Sequence, residues 1–292
     1  METPKSKRTF YLGLGAQKAG TTWLFRQIQS SDRFAPGLCK EYHLFDYIHL
    51  DASYAYGNAG QRIANFAEGD PSRSMEGKVR LLRKFYENER YYYDYIDELL
   101  DTQYKFTCDI TPAYALLNSD VLSSIRQNFE ERAIELKVIY LMREPVSRLE
   151  SELRMALRRK KSLGHVEVNK MCSSMTKRLS IDYPSKSNYS FTVKQIDEAF
   201  PPSQVFYCFY EDLFLAENIE ILANFFNIPR SCFNAEVKVN VTRRPYRYTR
   251  QHLEIWAEAL AGEYEFARTR FGFNTNRWKA TLHEKLGQKE TE

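Results

Sequence analysis

Phe10-Tyr11-Leu12-Gly13-Leu14 runs directly into Gly15-Ala16-Gln17-Lys18-Ala19-Gly20-Thr21-Thr22-Trp23, and this stretch decides the fold. An apolar run that breaks into a loop bounded by glycines and then opens a helix predicts a strand, a tight turn and a helix. The glycines allow the backbone to turn, and the N–H groups at the helix start then converge on an anion. The stretch therefore predicts a phosphate-binding loop in an α/β protein.

The position of the lysine separates this loop from the common nucleoside-triphosphate loop. In GxxxxGK[ST] the lysine follows the second glycine. Here Thr21 occupies that place, and the lysine lies earlier, at Lys18. A nucleotide kinase with an aberrant phosphate loop stays open as an alternative.

Size and composition restrict the class of protein. The chain has 292 residues, of which 43% are hydrophobic and 14% aromatic, so it can bury one substantial core. A net charge of +4 suits an anionic cofactor and does not indicate nucleic acid. No apolar run approaches the roughly 18–20 residues that span a bilayer. Five scattered cysteines without a CxxC pair, and a polar start at Met1–Arg8, predict a cytoplasmic protein without a disulfide framework or a zinc site.

Alternation of strand and helix patterns predicts the architecture. The strand-like runs are Phe10–Leu14, Lys105–Ile110, Lys137–Met142 and Gln204–Tyr210. Helical patterns separate them, which predicts an α/β fold in which helices flank a central, mainly parallel β-sheet. We expect a single domain over residues 8–280 and a polar tail over residues 281–292.

Three segments between and after these strands have patterns of their own. Residues 48–89 are polar and contain several glycines. We interpret this segment as an insertion, either an acceptor-side lid or a surface loop with short helices. Lys160–Asn188 is rich in Ser and Lys, which predicts a mobile connection. Tyr248–Arg270 has one apolar stripe at helical spacing, which predicts core packing. The stripe residues are Leu253, Trp256, Leu260, Tyr264 and Ala267.

A second motif follows the strand Val138–Met142. The strand ends at Arg143-Glu144-Pro145, and the spacing of Val146, Leu149, Leu153 and Leu157 predicts a helix with one buried face. An arginine at the carboxyl end of a strand lies where ligands meet open α/β sheets. Ser151, eight residues later, can share the same anion, and a guanidinium with a hydroxyl suits a phosphate monoester.

Together the two motifs resemble those of sulfotransferases that use 3′-phosphoadenosine 5′-phosphosulfate (PAPS). The first is similar to their 5′-phosphosulfate loop and the second to their 3′-phosphate site. Further matches resemble the heparan-sulfate-type branch and keep its order along the chain. They are Glu41-Tyr42-His43-Leu44-Phe45-Asp46, Asp109-Ile110-Thr111-Pro112-Ala113-Tyr114 and Asn240-Val241-Thr242-Arg243-Arg244.

The resemblance implies PAPS as the sulfuryl donor, no metal, and a hydroxyl acceptor on a carbohydrate, a glycolipid or a small molecule. Lys18 would neutralise charge on the bridging oxygen, and Arg143 and Ser151 would hold the 3′-phosphate. The loop Thr242-Arg243-Arg244 would close over the nucleotide. Trp23 and Tyr189 would contact adenine or belong to the core. The residues that would bind the 5′-phosphate are Lys18, Ala19, Gly20, Thr21 and Thr22.

Three residues are candidates for the general base on the acceptor side. Glu41 is preferred because the resemblance places it on a loop after the first helix and a carboxylate can accept the hydroxyl proton. His43 is an alternative base or orients Glu41. Asp109 is the third candidate because we expect it at a strand end that faces the same cleft. All three would contact the acceptor.

The sequence also departs from the heparan-sulfate-type pattern. Ile110 stands where those enzymes have a lysine associated with the acceptor, so binding of an anionic glycan does not carry over. The cysteine pair that clamps their nucleotide-closing loop is missing. Besides a kinase, a catalytically inactive nucleotide-binding or interaction protein stays open, although Lys18, Glu41, Arg143 and Ser151 are all present.

Overall fold

The first strand, β1 (Arg8–Gly15), is buried along almost its whole length, which is typical of a strand covered on both faces in a parallel sheet. The computed structural model describes residues 7–50, 73–158, 165–180, 185–237 and 249–287. The remaining strands are β2 (Phe106–Ile110), β3 (Ile134–Met142) and β4 (Val205–Phe209). All four predicted strands are therefore confirmed.

The strands form one four-stranded sheet in the order β2-β1-β3-β4, and each neighbouring pair is parallel. Leu12 of β1 lies opposite Asp109 of β2 on one side and Val138 of β3 on the other. Helices connect and flank the strands, which confirms the predicted α/β class with its central parallel sheet.

Twelve α-helices lie within the described ranges. The first six are α1 (Thr21–Ile28), α2 (Leu44–His49), α3 (Arg73–Glu87), α4 (Arg90–Leu100), α5 (Ser119–Glu130) and α6 (Pro145–Arg158). The others are α7 (His165–Ser180), α8 (Tyr189–Ala199), α9 (Ala216–Phe226), α10 (Arg250–Ala259), α11 (Ala261–Phe271) and α12 (Asn276–Gly287). None of these helices is long and apolar enough to cross a membrane.

The order of the strands creates a crevice beside β1. The chain passes from β1 to β2 on one side of it and then returns to place β3 on its other side. In open parallel sheets, ligands bind at such a change of direction, outside the carboxyl ends of the strands. The loop after β1 and Arg143 after β3 both lie at this point.

The core divides into a large cluster around the sheet and a smaller one under α6. The predicted stripe of α6 is buried and belongs to the smaller cluster, together with side chains of α7 and α10. The stripe predicted over Tyr248–Arg270 is also buried, but the helix breaks at Leu260. As a result Leu253 and Trp256 pack in the smaller cluster, whereas Tyr264 and Ala267 pack in the larger one.

Two other expectations meet the described structure only in part. The segment Lys160–Asn188, predicted as a mobile connection, contains the 16-residue helix α7, and the prediction was wrong there. Of residues 48–89, the structure describes 48–50 and 73–89, which include α3, and residues 51–72 lie outside the described ranges. Helix α12 runs across the boundary expected at residue 280.

Candidate active site

The loop between β1 and α1 takes a backbone shape that only certain residues tolerate. Gly20, directly before α1, has φ of 95°, and Lys18 also lies in the left-handed region, with φ of 72°. A Cβ at Gly20 would come within 2.9 Å of Leu213 Cδ2 and 3.2 Å of Tyr210 Cδ2. Gly20 is therefore required both for its conformation and for its lack of a side chain.

This loop presents the start of α1 to the crevice. The first N–H groups of a helix have no partner within it, and the helix dipole favours an anion there. Thr21 and Thr22 add two hydroxyls at the same end. The Ala19 amide, expected to point at the phosphate, instead donates to the Ala16 carbonyl at 3.2 Å. The candidate anion site would therefore begin at Gly20, with the partly exposed Lys18 beside it.

Arg143 joins the two sequence motifs. Its Nη1 donates to the carbonyl oxygen of Lys18 at 3.1 Å, and its guanidinium lies 4.6 Å from the centre of the Tyr210 ring. The Ala16 amide also donates to Leu141 near the end of β3. The structure therefore places the predicted 5′-phosphate loop and the predicted 3′-phosphate arginine in one crevice.

Glu144 fixes the helix that follows Arg143. Its carboxylate accepts the backbone N–H groups of Val146 at 2.9 Å and of Ser147 at 2.6 Å, which caps the start of α6. It also accepts the hydroxyl of Tyr264 from α11. Ser151 lies two turns into α6 and is partly exposed.

The two rings proposed for adenine lie in the core. Trp23 is 3% exposed, and its Nε1 donates to the carbonyl of Asn234 at 3.0 Å. Tyr189 is fully buried, and its hydroxyl donates to the carbonyl of Arg143 at 2.7 Å. Of the two roles predicted for these residues, core packing is the one observed. Tyr189 also supports the backbone of Arg143 through its hydroxyl. Thr242, Arg243 and Arg244 lie outside the described residues.

Glu41 and His43 lie together on the loop before α2. Glu41 Oε1 is 2.6 Å from Lys40 Nζ, and Glu41 Oε2 is 3.4 Å from His43 Nε2. On its other side, His43 Nδ1 is 2.9 Å from Oδ2 of the buried Asp46. The result is a row of carboxylate, imidazole and carboxylate that holds the Glu41 side chain in one orientation.

These contacts set the charge of both groups. Burial raises the pKa of Glu41, but the interactions with His43 and Lys40 outweigh it and bring this pKa down to about 2. Burial lowers the pKa of His43, but the hydrogen bonds to Asp46 and Glu41 outweigh it and raise this pKa to about 9. Near neutral pH, Glu41 is therefore an ionised carboxylate beside an imidazolium.

Asp109 does not face the cleft as expected. It is fully buried, and its carboxylate accepts the Tyr42 amide at 3.3 Å and the hydroxyls of Thr111 and Tyr114 at 2.6 and 2.7 Å. Burial raises the pKa of Asp109 to about 6, and these hydrogen bonds limit the rise. Asp109 therefore positions the loop that carries Glu41 and does not contact an acceptor directly.

Lys40 links the two halves of the site, and the sequence alone did not reveal this role. Its Nζ donates to the carbonyl of Ile110 at 3.2 Å and to Thr21 Oγ1 at 3.4 Å, in addition to its pair with Glu41. The ammonium of Lys40 thus lies beside the backbone of position 110. Asp46 was visible in the sequence only as the end of the Glu41 motif.

Comparisons with known proteins bear on this arrangement. Residues 11–253 match the family model of the sulfotransferase domain. The chain belongs to the sulfotransferase family. A comparison with curated proteins gives no significant match.

Two solved structures of other sulfotransferases are similar to this chain. The sulfotransferase from Alicyclobacillus acidocaldarius is 13% identical with a TM-score of 0.55, over 93% of this chain and 99% of its own. The sulfotransferase domain of the Synechococcus PCC 7002 olefin synthase is 14% identical with a TM-score of 0.47, over 88% and 97% of the two chains. The first of these likenesses supports the fold of the chain, and the family match supports sulfuryl transfer as its general reaction.

Proposed function

We propose that this sulfotransferase uses PAPS as donor and transfers the sulfuryl group to a hydroxyl of a carbohydrate, a glycolipid or a small molecule. One observation carries the proposal: the guanidinium of Arg143 lies 3.1 Å from the carbonyl of Lys18. The two predicted phosphate sites therefore share a crevice, as a ligand with both a 3′- and a 5′-phosphate requires. The donor set consists of amides, hydroxyls, a lysine and an arginine, which suits anions.

The residues of the crevice have separate tasks in this proposal. PAPS, when bound, supplies the sulfuryl group and carries the leaving group. The start of α1 and the hydroxyls of Thr21 and Thr22 bind the 5′-phosphate, and Arg143 and Ser151 bind the 3′-phosphate. The Lys18 ammonium stabilises the negative charge that grows on the bridging oxygen as its bond to sulfur breaks. Positioning and charge stabilisation supply most of the rate enhancement in such an in-line displacement.

Glu41 is the proposed general base. Its ionised carboxylate accepts the proton of the acceptor hydroxyl as the acceptor oxygen forms its bond to sulfur. His43, held by Asp46, orients Glu41 and compensates its charge. The Asp46–His43–Glu41 row thus fixes the direction from which the acceptor hydroxyl is deprotonated.

A binding and turnover experiment tests the proposal. Adenosine 3′,5′-bisphosphate without metal is expected to raise the melting temperature, and labelled PAPS is expected to label a component of an acceptor pool. A melting temperature that responds only to ATP with Mg²⁺ would instead favour a nucleotide kinase. Binding of the bisphosphate without label transfer to any pool would favour an inactive nucleotide-binding protein.

A further inference from the structure

The ammonium group of Lys40 occupies the position between the phosphate loop and the proposed base. It lies 2.6 Å from Glu41 Oε1, 3.2 Å from the Ile110 carbonyl and 3.4 Å from Thr21 Oγ1. The Lys40 side chain is 15% exposed, so these contacts are largely shielded from water. A single cation therefore contacts the start of α1, the loop of Glu41 and the end of β2.

A backbone hydrogen bond fixes the position of Lys40, whereas its side-chain ammonium contacts several acceptors. The Lys40 carbonyl accepts the Ile110 amide at 2.8 Å, which ties the residue to the end of β2. Its contact with Thr21 is a long one to a neutral hydroxyl, and its contact with Glu41 is a short ion pair. Thr21 belongs to the anion site, so a phosphate bound there would lie within reach of the same ammonium group.

The pair with Lys40 has a cost for Glu41 as a base. Both carboxylate oxygens have a cationic neighbour, Lys40 at Oε1 and His43 at Oε2. Burial raises the pKa of Glu41, but these two neighbours lower it to about 2, which makes the carboxylate a weak proton acceptor. Two further titratable groups interact electrostatically with Glu41: the thiol of Cys39 on its own loop and the ammonium of Lys186 from the segment before α8.

On the basis of the proposed function, we infer that Lys40 is a positioning residue that changes partner when the donor binds. The anionic 5′ group at the start of α1 draws the ammonium from Glu41 Oε1 toward Thr21. Glu41 then keeps His43 as its orienting partner and offers Oε1 to the acceptor hydroxyl. The base gains proton affinity when the donor is present, which couples the two substrates without movement of the backbone.

Thermodynamic linkage provides the test. If the donor must take Lys40 from Glu41, removal of the Glu41 charge strengthens donor binding more when Lys40 is present than when it is absent. The experiment measures the affinity for adenosine 3′,5′-bisphosphate by calorimetry in four proteins: wild type, Glu41→Gln, Lys40→Met and the double variant. We expect Glu41→Gln to strengthen binding by about 10-fold with Lys40 and by less than about 3-fold with Met at position 40.

Equal strengthening in the two backgrounds would show that Lys40 does not exchange and would overturn the inference. Absence of binding to the wild type would overturn the proposed function instead, so the two failures are distinguishable. Adenosine 3′-monophosphate is the matched control ligand, because without a 5′ group it gives the same Glu41→Gln effect in both backgrounds.

A second measurement needs no Lys40 variant. The side-chain carboxyl carbon of Glu41 is labelled with ¹³C and assigned by its loss in Glu41→Gln, and its pKa is followed by NMR in the wild type. The bisphosphate is expected to raise this pKa by at least about one unit, whereas the 3′-monophosphate leaves it unchanged. A pKa that stays near its starting value with the bisphosphate bound contradicts the exchange.

Discussion

At the scale of single residues, the contacts of Glu41 both orient this proposed base and weaken it. Lys40 and His43 hold the carboxylate ionised, and Asp46 holds His43. The same charges reduce the affinity of Glu41 for a proton, which the proposed base would have to accept. Orientation is therefore obtained at some loss of basicity.

The first prediction concerns Glu41 itself. Glu41→Gln keeps the shape of the side chain and removes the base, so transfer at saturating donor is expected to fall by about 10²–10⁴-fold. The variant should remain folded and should still bind the donor product. The measurement is turnover with labelled PAPS and a confirmed acceptor. Near-wild-type turnover in Glu41→Gln, with a collapse in His43→Ala, would move the base to His43.

The second prediction follows from the pKa of His43. Burial lowers this pKa, but the contacts with Asp46 and Glu41 outweigh burial and raise it. The folded state holds the proton of His43 more tightly than the unfolded state does. Protonated His43 therefore stabilises the folded state fully below about pH 6.5, and this contribution is lost as the pH rises through about 9. The wild type should therefore be more stable than His43→Gln at pH 6. This difference in the free energy of unfolding should shrink by on the order of 2–3 kcal/mol between pH 6 and pH 9.5.

Denaturant unfolding at the two pH values measures this difference. His283→Gln, at an exposed position on α12, is the control and should show no such dependence. A gap between wild type and His43→Gln that is the same at both pH values would contradict the assigned charge state of His43.

The third prediction separates the two phosphate sites. Arg143→Lys keeps the charge but loses the planar fork that suits a phosphate. Affinity for adenosine 3′,5′-bisphosphate is expected to fall by roughly 10–100-fold, the equivalent of one charge-assisted hydrogen bond, while affinity for adenosine 5′-monophosphate falls much less. Calorimetry with both ligands measures the ratio. Equal losses would mean that Arg143 mainly supports the loop through the Lys18 carbonyl.

The positions of the candidate residues were predictable from the sequence where these residues lie close together along the chain. Glu41 and His43 share one short loop, and Lys18 and Gly20 belong to one turn, so their proximity follows from their spacing. The prediction that Asp109 faces the cleft was wrong, because a position at the end of a strand does not indicate which side chains will cover it. The contact of Lys40 with Thr21 depends on how the loop packs against α1, and sequence spacing does not specify such packing.

At the scale of secondary-structure elements, the capping of α6 connects the proposed 3′-phosphate site to helices α11 and α12. Glu144 is 1% exposed and accepts two backbone amides of α6 together with the hydroxyl of Tyr264. Lys285 of α12 donates to Ser147 at 2.7 Å in the same network. Helix α6 is thus stabilised by contacts within its own first turn and by contacts with α11 and α12.

The fourth prediction tests this cap. Glu144→Ala leaves two helix amides and a buried hydroxyl without their acceptor, so it should lower the free energy of unfolding by on the order of 3 kcal/mol. Chemical denaturation measures the change, and Glu258→Ala, at an exposed position of α10, is the matched control. A loss below about 0.5 kcal/mol for Glu144→Ala would mean that water replaces the carboxylate at little cost.

Periodicity explains which elements the sequence predicted. The strands are short apolar runs, the buried face of α6 consists of regularly spaced apolar residues, and all were found as expected. Helix α7 has a weaker pattern of buried residues among Ser and Lys, and its stability comes from packing on α10, for example through the hydrogen bond from Trp256 to Thr176 at 2.9 Å. Tertiary packing of this kind overrides the local signal.

At the scale of the whole molecule, the two hydrophobic clusters predict unequal stability. The smaller cluster joins α6, α7 and α10, while the larger one surrounds the sheet. Less apolar area is buried in the smaller cluster, so it should open in a separate, less costly step.

The fifth prediction is that amides of α7 and α10 exchange with deuterium faster than those of β1 and β3. Leu153→Ala, in the smaller cluster, should accelerate exchange in α7 and α10 and leave β1 and β3 unchanged. Leu136→Ala, in the larger cluster, is the matched variant and should accelerate exchange throughout. Hydrogen exchange followed by mass spectrometry measures both, and equal protection of α7 and β3 in the wild type would argue against two steps.

The central position of β1 has a consequence for synthesis on the ribosome. Among the described strands β1 is made first, yet its neighbours begin only at Phe106 and Ile134. At translation rates of roughly 5–20 residues per second, the apolar segment Phe10–Leu14 waits for several seconds before both neighbours have been made. During that interval the nascent chain carries an unpaired strand edge that can aggregate. We therefore expect production of this protein to depend on chaperones that bind short apolar segments early in translation.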